Sequence, residues 1–325
     1  MEEMDHPRPI VVVSECLGFG AVRYNGQLLR SRFVEALREH VEFIRTCPEV
    51  GIGLGVPRDP VRLVDDDGRP RLVQPDTDRD VTQEMETFSQ EFLSSVGPVD
   101  GFILKGRSPT CGVFDARVYS GQENAPVSGK GPGLFARHVL DVFPLAAIED
   151  EGRLTNLRLR DHFLTKLFTV ARFRAARAEG RARALVRFHT EHKLLLMAQS
   201  PDALRRLGRT VGRAGSGALD EVFETYAETL QEALAKPPRP GPVVNVLQHA
   251  LGHLSDALKP RERAYFLELL EEYRNERIPL AALHSVLGAW VARHGEPYLE
   301  LQRFFAPYPR ALLELTDSGL RSRVR

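Results

Sequence analysis

The sequence predicts an α/β N-terminal domain with a mainly parallel, Rossmann-like sheet in residues 1–152, followed by an all-α C-terminal domain in residues 153–325. Two observations support this division. In the first half, short apolar runs alternate with amphipathic segments, which is the pattern of βαβ units. From Leu157 onward, apolar residues such as Phe163 and Leu167 recur with the period of a helix, and strand signals are lost.

The elements of the first half follow from its apolar runs and its turn residues. Asp67-Gly68 is a turn dipeptide between two β-like segments, so it predicts a hairpin. Glycine and proline are frequent in 47–58 and 128–133, which are expected to be loops. We expect strands at 9–16 and 41–46 with a helix at 31–37 between them, then the hairpin at 61–73, a helix at 82–95, strands at 99–104 and 117–119, a helix at 134–140 and a strand at 145–148.

The second half is expected to be helical throughout. After the helix that begins near Leu157, the apolar spacing predicts helices at about 181–199, 218–235, 242–257, 260–275 and 279–294. The proline-rich segment 236–242 predicts a stiff connector inside this half.

Composition predicts an ordinary soluble protein. Of the 325 residues, 42% are hydrophobic and 27% charged, and no apolar run approaches the length that spans a bilayer. The acidic start lacks the basic and apolar regions of a signal peptide. Three cysteines are an odd number for a disulfide framework, so a reducing compartment would leave thiols available to a metal. We therefore expect a cytoplasmic protein without membrane contact, with a monomer favoured.

A basic segment stands out within a chain of zero net charge. From Arg153 to Arg213 there are fifteen Lys and Arg residues against four Asp and Glu, a balance of +11. Such a segment predicts a polyanionic partner, and the alternative is a solvated helical face. The candidate contacts to such a partner are Arg172, Arg174, Arg177, Arg181, Arg183, Arg187 and Lys193.

The three cysteines share one context. Cys16, Cys47 and Cys111 each follow a β-like apolar run and enter a turn rich in glycine or proline. If the three runs are neighbouring parallel strands, the thiols emerge at one edge of one sheet, where open α/β folds place ligands. No two of them form a local pair, and small buried cysteines are the common alternative.

The residues leave the kind of metal open. Zinc in closed sites takes four ligands, and no histidine lies beside these turns. A four-iron cluster held by three thiolates would keep one iron open to bind a substrate atom as a Lewis acid.

Several segments resemble known families. Three of them closely resemble the signatures of the thiouracil desulfidase family, DUF523: Ser14-Glu15-Cys16-Leu17-Gly18-Phe19 with Arg23-Tyr24-Asn25-Gly26, the segment from Cys47-Pro48-Glu49-Val50 to Val56-Pro57-Arg58, and Ser108-Pro109-Thr110-Cys111-Gly112. The segment 187–200 resembles the DUF1722 domain. The fused arrangement resembles bacterial enzymes that remove sulfur from 4-thiouridine in tRNA.

The resemblance implies a [4Fe-4S] cluster held by Cys16, Cys47 and Cys111, with one open iron that accepts a thiocarbonyl sulfur. It also implies catalytic roles for Glu49 and Ser108. The candidate substrate-binding residues are Ser14, Arg23, Asn25 and Lys105.

The implied reaction is non-redox, hydrolytic desulfuration of 4-thiouridine in tRNA to uridine with release of sulfide. The same chemistry on free thiouracil or thionucleosides is the nearest alternative. A non-catalytic iron–sulfur protein that binds nucleic acid or senses redox state is another, and a zinc-stabilised binding module is the third. Tests of metal content and of sulfide release separate these classes.

Overall fold

The structure is a computed structural model that describes residues 6–122, 125–215 and 218–313. The described chain divides into two compact units, one from Arg8 to Ala171 and the other made of His6, Pro7 and the described residues from Arg172 onward. The compact-unit division thus groups 153–171 with the first unit, and the domain boundary after residue 152 stays a prediction.

The first unit contains nine strands and four helices among its described residues, and a further helix crosses its end. The strands are β1 Ile10–Ser14, β2 Glu42–Thr46, β3 Arg62–Asp66, β4 Arg69–Gln74, β5 Arg79–Asp80, β6 Gly101–Leu104, β7 Ala116–Tyr119, β8 Val127–Gly131 and β9 Ala147–Asp150. The helices are α1 Arg32–Leu37, α2 Pro48–Gly51, α3 Thr82–Ser95, α4 Leu134–Val142 and the crossing helix α5 Leu157–Ala178, with short 3-10 turns at Pro75–Thr77 and Arg153–Thr155.

A four-stranded parallel sheet has the order β2-β1-β6-β9. Its central strands β1 and β6 are almost completely buried, as expected for a parallel sheet covered on both faces. In the register, Ser14 at the end of β1 lies opposite Thr46 at the end of β2. The prediction of an α/β unit in which the three cysteine-bearing runs are neighbouring parallel strands is therefore confirmed.

A second, mixed sheet of five strands has the order β5-β4-β3-β7-β8. The prediction of a loop at 128–133 is wrong for its first part, because β8 pairs antiparallel with β7 and Lys130 lies opposite Arg117. The segment carries no apolar alternation, so its strand is set by pairing with β7. The loop expected from Cys47 also begins with the short helix α2, which has Pro48 at its first position.

The helices of the first unit pack on an apolar core that supports the cysteine-bearing edge. Met85 and Leu93 of α3 and Phe135 and Val139 of α4 are buried in one cluster with Phe102 of β6. This packing holds α4 against the chain that follows β6.

The second unit confirms the predicted helical region. Its helices are α6 Ala182–Gln199, α7 Pro201–Val211, α8 Leu219–Ala233, α9 Pro240–His253, α10 Pro260–Arg274, α11 Leu280–His294 and α12 Pro297–Glu300, with a 3-10 turn at Arg310–Leu312. None of the helices in the described parts of the chain combines the length and apolar character needed to cross a bilayer.

The apolar spacing did not predict helix α7. Its sequence is rich in arginine, and only Ala203, Leu207 and Thr210 are buried. A start signal was present, because Ser200 accepts a hydrogen bond from the amide of Ala203 at 3.2 Å and Pro201 occupies the first helical position.

His192 of α6 is a fully buried titratable group in the second unit. Its Nδ1 lies 2.7 Å from the carbonyl oxygen of Phe188, one turn earlier. Burial lowers the pKa of His192 well below its ordinary value, and the charges of Arg172 and Arg303 and the neighbouring His189 lower it further. The imidazole is therefore neutral in the folded chain.

We expect acid to destabilise the second unit through His192. Unfolded histidine takes up a proton near pH 6.5, so the stability that comes from neutral His192 is complete above pH 6.5 and is lost as pH falls toward the folded-state pKa. One such group changes the free energy of unfolding by at most about 1.4 kcal/mol per pH unit. Urea denaturation at pH 7.5 and pH 5 should show that His192→Gln loses less free energy of unfolding between these two pH values than the wild type does. His284, whose burial lowers its pKa to about 4, leaves some acid dependence in the variant. An identical pH dependence in both proteins would contradict this prediction.

Candidate metal centre

The three cysteines lie at the carboxyl edge of the parallel sheet. Cys16 follows β1, Cys47 directly follows β2, and Cys111 lies in the turn that follows β6. All three are free thiols, with Cys16 and Cys111 buried and Cys47 half-buried. The buried hydroxyl of Ser14 accepts the amide of Lys105 at 2.9 Å and also contacts the Cys111 thiol. Ser14 thus connects the ends of two neighbouring strands to the third cysteine.

The thiols are close enough to influence one another's ionisation. Burial, together with the charge of the neighbouring Cys47, raises the pKa of Cys16 to about 12, although Lys105 and Arg23 act in the opposite direction. Burial also raises the pKa of Cys47 and raises that of Cys111 well above its ordinary value. Such thiols are poor nucleophiles at neutral pH. A bound cationic centre would reverse this, because metal coordination deprotonates a thiol.

Three thiols at one edge of a sheet are a soft donor set, of the kind that an iron–sulfur centre takes. Within 6–122, 125–215 and 218–313, no three His, Cys, Asp or Glu side chains are grouped so as to hold one metal ion. In an iron–sulfur cluster the thiolates bind different irons and surround the cluster, so they need not converge on one point. Soft thiolates also suit iron. The ligand set of Cys16, Cys47 and Cys111 stays a prediction.

The turn that carries Cys111 is held by hydrogen bonds on both sides. The Oγ of Ser108 accepts the amides of Thr110 and Cys111 at 3.2 and 3.1 Å. The amide of Gly133, at the start of α4, donates to the carbonyl of Gly112 at 2.7 Å. A Cβ on Gly133 would lie 2.4 Å from the carbonyl oxygen of Thr110, so only glycine permits this approach.

Glu49 lies beside the thiols in a buried polar network. The Nε and Nη2 of Arg58 donate to its Oε2 at 2.8 and 2.7 Å, and the Oγ1 of Thr110 donates to its Oε1 at 2.9 Å. The Arg58 and Glu49 side chains are only 4% and 14% exposed. The Nη2 of Arg58 also lies 4.0 Å from the Cys47 sulfur. Sequence analysis singled out Glu49 but missed Arg58 and Thr110, although both stand in the quoted motifs, because neither contact is local in sequence.

The candidate substrate-binding residues have different surroundings. Lys105 forms an ion pair with Glu151 and donates to the carbonyl of its neighbour Gly106 at 2.7 Å, so it also stabilises the turn. Arg23 donates to Gln27 at 3.2 Å and lies near enough to affect the Cys16 thiol. Asn25 is exposed and its Oδ1 accepts the amide of Gln27 at 3.2 Å. A substrate role for each stays a prediction.

The basic residues of the second half differ in accessibility. Arg172 is buried and donates to the carbonyl of Pro307 at 2.8 Å, which does not suit a phosphate contact. Arg177 is paired with Glu224 and Arg187 with Glu179, so acids pair some of these charges. Arg174 is half-buried. Within the described residues, the exposed side chains of Arg181, Arg183 and Lys193 have no ion-pair partner.

Sequence comparison matches each half of the chain to a family. Residues 11–151 match the model of the 2-thiouracil desulfurase family, and residues 193–309 match that of a protein of unknown function, DUF1722. The chain is 28% identical over 165 residues to the Escherichia coli (strain K12) protein named uncharacterized protein YbgA, covering 50% of this chain and 97% of that protein. It is 27% identical over 130 residues to uncharacterized protein YbbK of Bacillus subtilis (strain 168), covering 38% of this chain and 85% of that protein.

One solved structure is also similar. It is named a [4Fe-4S]-dependent thiouracil desulfidase, TudS, and is 29% identical in sequence. The match covers 47% of this chain and 97% of that chain, with a TM-score of 0.38.

Proposed function

We propose that this chain, whose residues 11–151 match the 2-thiouracil desulfurase family model, is an iron–sulfur enzyme that converts 4-thiouridine in tRNA to uridine and releases sulfide. The observation that carries the proposal is the grouping of three free thiols with Glu49 at one edge of the parallel sheet. A DUF1722 domain follows in residues 193–309.

The cysteine thiols are the proposed cofactor ligands. Cys16, Cys47 and Cys111 would hold a [4Fe-4S] cluster as thiolates, which leaves one iron without a cysteine. When bound, the cluster supplies a Lewis-acidic iron that polarises the thiocarbonyl of the substrate. Lys105 and Arg23 offset part of the negative charge that the thiolates bring to this edge.

Glu49 is the proposed general base. Its carboxylate takes a proton from water as the water oxygen bonds to the ring carbon that carries sulfur. The carbon–sulfur bond then breaks, a carbonyl forms, and sulfur leaves as hydrosulfide, so water is consumed and no electrons are gained or lost. Arg58 and Thr110 hold the carboxylate in one orientation through the hydrogen bonds described above.

Ser108 and Lys105 are suited to act on the pyrimidine ring. The Ser108 oxygen accepts two amides, which leaves its own hydrogen free to donate to a ring atom. The Lys105 ammonium stabilises negative charge that develops on the ring, although its pairing with Glu151 reduces that effect.

Exposed cations of the second unit are the proposed tRNA contacts. Arg181, Arg183 and Lys193 are available to phosphates, and Arg177 and Arg187 form exposed ion pairs that a phosphate can replace at little cost. Arg172 is left out of this surface because it is buried. Phosphate contacts supply affinity, while the thiolated base must leave its stack to reach the thiols.

A comparison of substrates tests the proposal. Anaerobically prepared, iron-loaded protein is incubated with thiolated tRNA, free 4-thiouridine and free 2-thiouracil, and loss of thiocarbonyl absorbance and release of sulfide are followed. We expect a higher kcat/KM with thiolated tRNA, because phosphate contacts add binding energy that free bases lack.

Each other outcome supports a named alternative. Turnover of free thiouracil alone would assign the same chemistry to a small substrate. A reversible cluster potential without sulfide release would indicate a non-catalytic iron–sulfur protein. Protein that contains zinc but neither iron nor acid-labile sulfide would indicate a zinc-stabilised binding module.

A further inference from the structure

A second basic feature lies on the mixed sheet of the first unit. A cavity of about 410 Å³ opens there, with a volume in the range of small-molecule sites. Its lining includes Arg62, Arg107, Arg117, Tyr119, Pro109 and Asp76. We call it the arginine groove, since three cations face one acid.

Strand register extends this charge into a row. Arg117 of β7 lies opposite Lys130 of β8, and β3 pairs with β7 so that Arg62 lies level with Arg117. Like charges on neighbouring strands repel and cost stability. In the part of the chain that the structure describes, Arg117 and Lys130 have no ion-pair partner. A row of uncompensated cations is typical of a surface that binds an anion.

Arg107 adds a strained backbone to the groove. Its φ is +60°, in the left-handed region that favours glycine, and its amide donates to the carboxylate of Asp115 at 2.7 Å. The side chain is 88% exposed, and its Nε lies 3.8 Å from Asp115. Glycine would fit this backbone at lower cost, so an arginine at this position carries a conformational cost.

The groove adjoins the turn that carries Cys111. Arg107 and Pro109 line the groove, whereas Ser108 between them turns its hydroxyl to the amides of Thr110 and Cys111. One short turn thus separates the arginine groove from the candidate catalytic groups.

We propose that the arginine groove binds phosphate groups of the RNA strand next to the thiolated nucleotide. The RNA assignment rests on the proposed function, and it adds a phosphate site in the catalytic unit itself. The guanidinium fork of arginine matches phosphate oxygens. The row from β3 to β8 crosses two strand spacings, about 10 Å, so it extends beyond a single phosphate.

The aromatic ring in the groove positions one of its cations. The Arg62 guanidinium lies over the Tyr119 ring at 4.3 Å, and its Nη1 donates to the carbonyl of Gln122 at 2.8 Å. These contacts hold the cation in place before a ligand binds, which reduces the entropy lost on binding.

The test measures binding without turnover. Full-length protein is titrated with 4-thiouridine 5′-monophosphate, with 4-thiouridine and with unthiolated tRNA at several salt concentrations. The variant Arg117→Gln/Lys130→Gln is compared with Arg117→Lys/Lys130→Arg, which keeps both charges. A second control, Arg32→Gln/Arg69→Gln, removes two exposed charges of the same unit that do not line the groove.

We expect the Gln/Gln variant to bind the monophosphate at least tenfold more weakly. For tRNA, the slope of log K against log salt should fall by about two, one for each phosphate that the variant no longer neutralises. Binding of 4-thiouridine should be unchanged in this variant, and for tRNA the two control variants should keep the salt slope of the wild type.

Equal affinity of the wild type for 4-thiouridine and its monophosphate, or an unchanged salt slope in the Gln/Gln variant, would overturn the proposal. Because unthiolated tRNA is one of the probes, the salt slope tests the groove even if the chain does not desulfurise RNA. If the wild type desulfurises tRNA but the Gln/Gln variant binds the monophosphate and tRNA as the wild type does, the proposed function stands and only the groove proposal is refuted.

Discussion

Cys111→Ser is expected to yield protein without iron and without desulfidase activity. Serine keeps the size of the side chain but replaces a soft thiolate by a hydroxyl that binds iron poorly. Loss of a Lewis acid worth several kcal/mol lowers the rate by about 10³-fold or more. Iron, acid-labile sulfide and visible absorbance are measured after anaerobic purification, and sulfide release is followed with thiolated tRNA and with 2-thiouracil.

The other two cysteines provide the matched comparison. Cys16→Ser and Cys47→Ser should lose the cluster in the same way, because the chain has only three cysteines. Ser95→Ala, which removes an exposed hydroxyl on α3, should keep both iron and activity. Circular dichroism checks that each variant is folded. A single variant that retains full iron and full turnover would remove that cysteine from the ligand set.

Glu49→Gln is expected to keep the iron and to lose about 10²- to 10⁴-fold in kcat, the usual contribution of a general base. Glutamine preserves the shape of the side chain and an acceptor for Thr110, but it cannot take a proton from water. The measurement pairs kcat with the visible spectrum of the cluster. A Glu49→Gln variant with wild-type kcat would show that a group other than Glu49 takes the proton from water.

Variants of Arg58 distinguish its role in positioning the Glu49 carboxylate from its contribution to stability. Arg58→Met leaves the carboxylate of Glu49 buried without its cation, which costs about 3–5 kcal/mol. The double variant Glu49→Gln/Arg58→Met removes that buried charge, so it should recover part of the stability lost in Arg58→Met while kcat stays as low as in Glu49→Gln. Urea denaturation and kcat measured on the same samples distinguish the two effects. Additive losses of stability would contradict the predicted coupling of Glu49 and Arg58.

Local sequence patterns were sufficient to predict the strands that carry the three cysteines and the helical half of the chain. The apolar runs before Cys16, Cys47 and Cys111 identified three strands, and the carboxyl ends of parallel neighbours necessarily meet at one edge. The 3.6-residue period after Leu157 identified the helical half. These features depend on residues close together in sequence, which is why one sequence was enough.

Partners that are distant in sequence were decided only by the tertiary structure. Arg58 and Thr110 reach Glu49 from nine and sixty-one residues away. Strand β8 exists through its pairing with β7, and the pairing of Arg177 with Glu224 depends on how α5 and α8 pack. Local propensity and hydrophobic period describe each segment's own preference, whereas charge pairing and strand register depend on which segments become neighbours in space. The sequence by itself therefore determined where the thiols emerge, and the tertiary structure determined which groups hold the carboxylate beside them.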